Sequence, residues 1–230
     1  MSLKHHPSII TKDLVFYFDA ANNRSYSGTG RTVNGLIGGL GITRIGGTAF
    51  STQNLGSLYF TGQTGNYMPF NIPNLGNTIT VEMFAKINNF DISMPFGFLE
   101  YDVLGYLGAL GYNTNNTDLH GLTASQVTGL GISNNWASYH FEMRTDVSYT
   151  NNKIYINGVS QSLSKILADN EVAAKRTFNS GIGRISGYNF SGGINFNISM
   201  NLALFKVYNR ALTQEEINLN FNAFKGRFGL

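Results

Sequence analysis

The sequence contains no cysteine and little charge, and both shortages exclude classes of protein. Without cysteine the chain has neither a disulfide framework nor a thiolate ligand for a metal. Charged residues make up 13% of the 230 residues, and the formal net charge of +3 is not concentrated in any run of lysine and arginine. Because a nucleic-acid interface is normally a basic stripe, we expect no nucleic-acid partner.

Long apolar runs are also missing. No apolar stretch approaches the ~20 residues that a membrane-spanning helix needs, so no membrane span is predicted. Lys12 and Asp13 end the first apolar run too early for a signal peptide. Glycine (27) and asparagine (28) are abundant instead, which is typical of a sheet protein with many turns and polar loops.

Catalytic and metal-binding motifs are the third absence. There is no Gly-x-Ser-x-Gly elbow, no Gly-x-Gly-x-x-Gly and no Walker-type loop. The four histidines, His5, His6, His120 and His140, are too scattered to predict a zinc site. We interpret them as solvated or hydrogen-bonded side chains. The sequence therefore predicts no cofactor.

What the sequence does contain is strand patterning. Residues 78–87, 136–144 and 195–209 alternate between apolar and polar side chains, which is the period of a strand with one buried face. In the last of these stretches the pattern changes phase at Phe205, which predicts a β-bulge within residues 203–206. Asn157-Gly158, between strand-forming residues, predicts a tight hairpin turn because such turns require positive φ.

The C-terminal part of the chain follows a different period. Thr213 and Glu216 fit the capping box that begins a helix. Apolar residues then recur at helical spacing, which predicts a helix over residues 213–224 that packs an apolar stripe on a sheet and ends at Gly226. Trp136, the only tryptophan, begins an alternating strand and is expected in the core.

Stretches along nearly the whole chain match, in order, the strands of one known family. They are residues 14–20, 22–26 and 28–30, residues 58–62 with 66–67, residues 136–143 leading to 153–158, and residues 181–184 with 207–217. In these stretches the chain resembles the laminin G-like, concanavalin A-like jelly-roll domains, particularly those of bacteriophage virion proteins. The ending, residues 220–230, resembles phage structural proteins.

The resemblance implies an all-β fold, a two-sheet antiparallel jelly-roll sandwich with one short C-terminal helix. It implies a single domain over residues 1–230, with an extended arm at 1–12 and the helix at 213–224. Family members often carry acids where this chain has Thr61 and Asn66. Because calcium prefers carboxylate oxygens, these neutral residues argue against a calcium cofactor.

Some relatives of this fold hydrolyse β-glucans with a Glu-x-Asp-x-x-Glu pattern. Glu100 and Asp102 match the first two acids, but Gly105 stands at the third position. A retaining glycosidase needs two carboxyl groups about 5–5.5 Å apart, so the catalytic pair is incomplete and we expect no enzyme. A polysaccharide hydrolase using Glu100 and Asp102 is the less favoured alternative.

Glycan binding needs less machinery, because a sugar is held by an aromatic ring together with amide and carboxylate groups. Residues of these types lie in predicted loops and strand ends and are the candidate glycan-binding residues. They are Tyr67, Tyr101, Asp102, Tyr112, Asn113, Asn115, Asn116, Asp118, Tyr188 and Asn189. Asparagine and tyrosine are also common in sandwich loops for turn and packing reasons.

Three hypotheses for the function follow. The first is a non-enzymatic phage virion structural protein, a capsid or tail decoration or adhesin, made in the host cytoplasm and located in the virion. Its lectin-like domain would attach to other virion proteins or to cell-surface polysaccharide. The second is a free-standing carbohydrate-binding module, and the third is the hydrolase. A homo-oligomer is compatible with the first, although no coiled-coil segment specifies one.

Overall fold

The structure is a computed structural model that describes residues 8–39, 41–98, 101–113, 119–167, 177–190 and 193–230. Within these ranges the chain is mostly β-strand, with α-helix only at α1 (Ala124–Gly129) and α2 (Gln214–Phe228). Neither helix is long and apolar enough to cross a membrane. The prediction of a β-sheet protein with a C-terminal helix is confirmed.

The strands are numbered in chain order. They are β1 (Leu14–Asp19), β2 (Thr32–Val33), β3 (Ile42–Thr43), β4 (Ala49–Ser51), β5 (Ser57–Thr61), β6 (Met68–Ile72), β7 (Thr78–Ile87), β8 (Ser93–Phe98), β9 (Tyr101–Tyr106), β10 (Ala109–Asn113), β11 (Leu119–Leu122), β12 (Trp136–Arg144), β13 (Lys153–Ile156), β14 (Val159–Ser160), β15 (Ser164–Leu167), β16 (Gly181–Ile185), β17 (Tyr188–Phe190), β18 (Gly193–Asn195) and β19 (Ser199–Tyr208).

Most of these strands belong to two large antiparallel sheets. The eight-stranded sheet has the order β14-β13-β12-β7-β19-β5-β4, and β1 also pairs with β19. The seven-stranded sheet has the order β15-β11-β10-β9-β8-β16-β6. Two small ribbons pair β2 with β3 and β17 with β18. Strand β19, which comes last in sequence, therefore lies inside the eight-stranded sheet rather than at its edge.

One hydrophobic core holds the two large sheets together. It combines apolar side chains from both sheets, and aromatic rings span the interface between them. Phe96 of the seven-stranded sheet lies 5.2 Å from Phe141 and 5.7 Å from Phe205 of the eight-stranded sheet, measured between ring centroids. Two sheets that share a core through their inner faces are the packing of a β-sandwich.

Helix α2 covers the other face of the eight-stranded sheet. The predicted capping box is confirmed, because the Thr213 hydroxyl accepts from the Glu216 amide and the Glu216 carboxylate accepts from the Thr213 amide at 3.0 Å. Three phenylalanines of α2 lie 5.0 to 6.4 Å from the ring of Phe84 on β7. Trp136 is half-buried and packs at 4.8 Å on Phe228. This sheet is consequently buried on both faces.

Two further local predictions are confirmed. Asn157 and Gly158 have positive φ values of 51° and 80° and join β13 to β14 in a tight hairpin. In β19, the register with β7 shifts between Leu202 and Leu204. Because of this bulge, Leu202 and Phe205 both enter the core between the sheets, whereas Leu204 packs beneath α2.

Other boundaries differ from those predicted. Helix α2 continues through Gly226 to Phe228 and is ended by Gly229, whose φ of 71° is left-handed. The extra turn places Phe228 against Phe84 at 5.0 Å, so tertiary packing extends the helix past an internal glycine. The hairpin β9–β10, with its turn at Leu107 and Gly108, and helix α1 have no counterpart among the predictions.

Candidate functional site

The densest group of ionisable side chains lies on the eight-stranded sheet beneath α2. Lys206 Nζ donates to Glu82 Oε1 at 2.9 Å, and Asn220 Nδ2 donates to Glu82 Oε2 at 2.8 Å and to the Tyr208 hydroxyl at 2.9 Å. His140 Nε2 lies 3.7 Å from Glu82 Oε2. All five residues are 0% exposed. We call Glu82, His140, Lys206, Tyr208 and Asn220 the buried polar cluster.

Burial sets the protonation states within this cluster. It lowers the pKa of His140 to about 4; the carboxylate of Glu82 opposes that shift, and the charge of Lys206 adds to it. Burial also lowers the pKa of Lys206, again opposed by Glu82. Burial and the charge of Glu82 raise the pKa of Tyr208. His140 and Tyr208 are therefore neutral at neutral pH, and Lys206 and Glu82 form the ion pair of the cluster.

The spatial order of Ser138, His140 and Glu82 resembles a catalytic triad. The geometry of these side chains does not support catalysis. The Ser138 hydroxyl lies 3.3 Å from His140 Nδ1, and the 3.7 Å between His140 Nε2 and Glu82 exceeds a hydrogen bond. All three side chains are 0% exposed, so no substrate reaches the hydroxyl. The buried polar cluster is structural. Of the two predicted states for the histidines, solvated or hydrogen-bonded, the solvated one does not hold for His140, which is buried with Nδ1 3.3 Å from the Ser138 hydroxyl.

The predicted glycan-binding residues are spread over several parts of the fold. Asp102 and Asn113 are direct register partners on β9 and β10, and Tyr101 precedes Asp102. Tyr67 lies just before β6, at the far edge of the same sheet. The structure thus brings Asp102 and Asn113 together and separates them from Tyr67 by the two strands β8 and β16.

Tyr188 and Asn189 lie on β17, in the ribbon that β17 forms with β18, outside both large sheets. Three other candidates, Asn115, Asn116 and Asp118, lie outside the described residues, as does Glu100 of the hydrolase hypothesis. These assignments stay predictions.

Tyr112 requires a correction. It is 0% exposed, and its hydroxyl donates to the backbone carbonyls of Glu142 at 3.1 Å and Lys153 at 2.6 Å. Its ring meets Phe141 edge-on in the core at 6.3 Å. A ring enclosed in this way cannot stack on a sugar, because packing with the opposite sheet decides its position. Tyr112 is therefore a core residue.

Thr61 and Asn66 use their polar atoms within the fold. Thr61 Oγ1 accepts from the Gln63 amide at 3.3 Å. Asn66 is 2% exposed, and its amide oxygen, turned toward Gly47 and Thr48, accepts from their backbone amides at 2.9 and 3.2 Å. No group of three or more His, Asp or Glu side chains in the described ranges is arranged to hold a metal ion. The expectation that no calcium binds at Thr61 and Asn66 stays a prediction.

A shallow depression of about 560 Å³ lies along the exposed side of α2. It is lined by Ser8, Glu215, Asn218, Leu219, Asn222 and Ala223. Glu215 is the only ionisable residue of this lining and is itself exposed. Ligand pockets normally enclose their ligand with apolar walls and a few convergent polar groups, so we assign no ligand to this depression.

A row of register partners crosses the seven-stranded sheet. Pro69 on β6 pairs with Arg184 on β16, Arg184 with Gly97 on β8, Gly97 with Asp102 on β9, and Asp102 with Asn113 on β10. We call these five residues the Arg184 row. Two of them, Asp102 and Asn113, belong to the predicted glycan-binding residues. The row therefore connects these two residues to the edge strand β6.

Arg184 lies on the face of the sheet that is turned away from the core. Its neighbour in sequence, Ile185, and Phe70, the neighbour of Pro69, are both buried in the core. Because side chains alternate between the faces of a strand, Arg184 and Pro69 face the other way. Both are half-buried. The guanidinium of Arg184 is thus accessible from outside the sandwich.

Tyr67 and Asn71 flank this position along β6. They stand two residues before and two residues after Pro69, so alternation places them on the face that carries Arg184. Tyr67 is half-buried, Asn71 is exposed, and Ile182, the register partner of Asn71, is 43% exposed. One corner of the sheet therefore presents a tyrosine ring, an amide and a guanidinium. We call Tyr67, Asn71 and Arg184 the corner site.

Sequence reasoning found only one member of the corner site. Tyr67 was identifiable as an aromatic residue near a predicted edge strand, and alternation along residues 67–72 would also have placed Asn71 beside it. Arg184 is more than a hundred residues away in sequence. It reaches Tyr67 and Asn71 only through the pairing of β6 with β16, which the sequence pattern does not specify.

No protein-family model and no curated protein sequence matches this chain. Its structure is similar to solved binding domains of bacterial toxins. The receptor-binding domain of botulinum neurotoxin C/D mosaic serotype matches with a TM-score of 0.60 at 13% identity, covering 93% of this chain and 52% of that one. The binding domain of paraclostridial mosquitocidal protein 1 matches with a TM-score of 0.61 at 16% identity, with coverages of 93% and 52%.

A third similar structure is the ligand-binding domain of botulinum neurotoxin serotype D in complex with N-acetylneuraminic acid. It matches with a TM-score of 0.61 at 14% identity and covers 93% of this chain and 51% of that chain. This chain spans about half the length of the solved structures that it matches. At such identities the likeness establishes a shared fold.

Proposed function

We propose that this chain is a non-enzymatic glycan-binding module, wound as a jelly roll. The observation that carries the proposal is the corner site, where Tyr67, Asn71 and Arg184 share one outward face. Sugars are bound by stacking on an aromatic ring and by hydrogen bonds to planar amide and guanidinium groups. The similar solved structures support this, since they are binding domains and include complexes with N-acetylneuraminic acid and with SialylT.

A glycan array probed with the purified protein tests the proposal. We expect binding above background to at least one glycan, and we expect Tyr67→Ala to weaken that binding at least tenfold because the stacking ring is lost. Tyr59→Ala is the matched control, since Tyr59 is a half-buried tyrosine on the eight-stranded sheet. An array without signal, both with and without calcium, would contradict the proposal.

We also propose that the module is carried on a phage virion, as a capsid or tail protein bound to other virion proteins. This finer proposal is supported by the resemblance of residues 220–230 and of the strand pattern to phage proteins. A free-standing carbohydrate-binding module is the alternative. Mass spectrometry of purified virions decides between them, because a virion protein must be present there in stoichiometric amounts.

The hydrolase hypothesis is not favoured by any described geometry. The Ser138, His140 and Glu82 group is sealed beneath α2, and the pattern around Glu100 lacks its third acid. We expect no release of reducing ends from β-glucans. Release that disappears in Glu100→Gln would establish the enzyme instead.

A further inference from the structure

We propose that the glycan bound at the corner site is acidic, and that Arg184 binds its carboxylate or sulfate group. This inference rests on the proposed glycan-binding function and specifies the class of its ligand. It is drawn from the hydrogen bonds of the arginines, because Arg184 is the one partly buried arginine of the described chain without a side-chain acceptor.

The guanidinium of Arg184 makes few hydrogen bonds within the protein. Its Nε is shielded from solvent and has no hydrogen-bond partner, and Nη1 makes a single long contact of 3.5 Å to the carbonyl of Ile182. No carboxylate pairs with Arg184 among the described residues. An anionic oxygen from a ligand would give the guanidinium a charged acceptor that the described part of the protein does not supply.

The other partly or fully buried arginines of the described chain each pair with a side-chain acceptor, although the Nε atoms of Arg44, Arg144 and Arg210 also lack a hydrogen-bond partner. Arg227 donates to the carboxylate of Asp19 at 2.8 Å. Arg210 forms a two-pronged pair with Glu216 at 2.6 and 2.7 Å. Arg44 donates to Tyr26 and to Thr48, and Arg144 pairs with Asp146 at 3.3 Å. Arg184 therefore stands apart from structural arginines, which use their donors to hold the fold together.

The strand beneath Arg184 is held in place. A side chain at Gly183 would come within 2.6 Å of the Phe70 ring, so the ring of Phe70 lies directly against the backbone of β16. Register pairs on both sides, with Pro69 and with Gly97, hold the Arg184 backbone between β6 and β8. A fixed backbone is a preorganised support for a ligand-binding side chain.

The chemistry of the corner site matches an acidic sugar better than other anions. The planar guanidinium fork fits the two oxygens of a carboxylate or sulfate. Tyr67 offers a ring face to the apolar side of a sugar ring, and Asn71 offers both a donor and an acceptor to its hydroxyl groups. A bare phosphate or sulfate ion would leave the ring face of Tyr67 unused.

The test compares matched pairs of glycans that differ only in the acidic group. Sialyllactose and polygalacturonate, each compared with its methyl ester, probe carboxylates, and chondroitin sulfate compared with desulfated chondroitin probes sulfate. We expect at least tenfold tighter binding of the acidic member in one of these pairs. Arg184→Gln should remove this preference, so that the acidic and the neutral member bind with affinities within twofold of each other. Arg184→Lys should retain part of it, because the charge remains and the fork is lost.

Arg24→Gln is the control for net charge, because Arg24 is exposed in the loop after β1, away from the seven-stranded sheet. It should leave the preference unchanged, and the thermal midpoint of each variant verifies folding. Equal binding of acidic and neutral members, unaffected by Arg184→Gln, would overturn this inference and leave the glycan-binding function standing. Absence of binding to every glycan would instead overturn the proposed function itself.

Discussion

At the scale of single residues, the side chains beneath α2 couple folding to pH. His140 is neutral in the folded protein because burial lowers its pKa from 6.5 to about 4. The unfolded chain therefore takes up a proton first as the pH falls. The contribution of neutral His140 to stability is complete above pH 6.5 and is lost progressively toward pH 4.

Denaturant unfolding at pH 7 and pH 4.5 measures this coupling. We expect the wild-type free energy of unfolding to fall by on the order of 3 kcal/mol more than that of His140→Gln between these pH values. The glutamine keeps a polar group near Ser138 but does not titrate. If both proteins lose the same stability on acidification, the titration of His140 is not the cause.

The pair of Lys206 and Glu82 gives a second prediction. Both side chains are 0% exposed, so removing one partner leaves an uncompensated buried charge. We expect Lys206→Met to lower the free energy of unfolding by about 4 kcal/mol. The double variant Lys206→Met with Glu82→Gln should recover more than half of that loss. A double-mutant cycle measures the coupling, and strictly additive losses would argue against it.

At the scale of elements, two glycines predict opposite effects of the same substitution. Gly158 has a φ of 80°, and a Cβ there would lie 3.1 Å from Asn218 Oδ1 and 3.2 Å from Phe221 Cδ1 on α2. Gly158→Ala should therefore destabilise the protein by about 1–2 kcal/mol. Gly226 lies within α2 with open space around it, so Gly226→Ala should stabilise it by about 0.5–1 kcal/mol. Thermal unfolding of the two variants measures both effects. If both substitutions change the stability in the same direction, this interpretation of the two glycines is wrong.

Arg227 connects the last turn of α2 to other parts of the fold. Arg227 donates to Asp19 at 2.8 Å and to the carbonyls of Asn54 and Gly56 at 2.6 Å each, and so joins the helix to β1 and the segment before β5. We expect Arg227→Ala to lower the free energy of unfolding by about 3 kcal/mol. Arg144→Ala, which removes an exposed pair, should cost about 0.5 kcal/mol or less. If urea unfolding shows a similar loss of stability for Arg227→Ala and Arg144→Ala, Arg227 has no special role.

The elements also show what can be deduced from sequence and what cannot. The hairpin at Asn157 and Gly158 and the capping box at Thr213 were predictable, because each depends on neighbours a few residues apart. The end of α2 was not, because packing of Phe228 on Phe84 outweighs the helix-breaking tendency of Gly226. Burial of Tyr112 likewise depends on carbonyls of strands in the opposite sheet.

At the scale of the whole molecule, the sandwich was predictable and the position of its candidate site was not. Alternating patterns on β7, β12 and β19 indicate strands that pack in two layers. The corner site exists only because β6 and β16 pair over a long sequence separation. The resemblance stated from the sequence predicted a two-sheet sandwich, but the placement of residues such as Arg184 requires the register of the strands.

The order of strands in the eight-stranded sheet has a consequence for synthesis. In the eight-stranded sheet, only β19 among the described strands pairs with both β7 and β5. Until β19 has been synthesised, the strands β7, β12, β13 and β14 therefore cannot pair with the part of the sheet that contains β1, β4 and β5. The nascent chain must therefore carry unpaired strand edges through most of translation. Fast folding through local contacts is excluded, because the contacts that complete the fold connect residues about two hundred positions apart, such as Ile10 and Asn220. A chaperone that shields strand edges should consequently bind this protein during translation and release it only after β19 is in place.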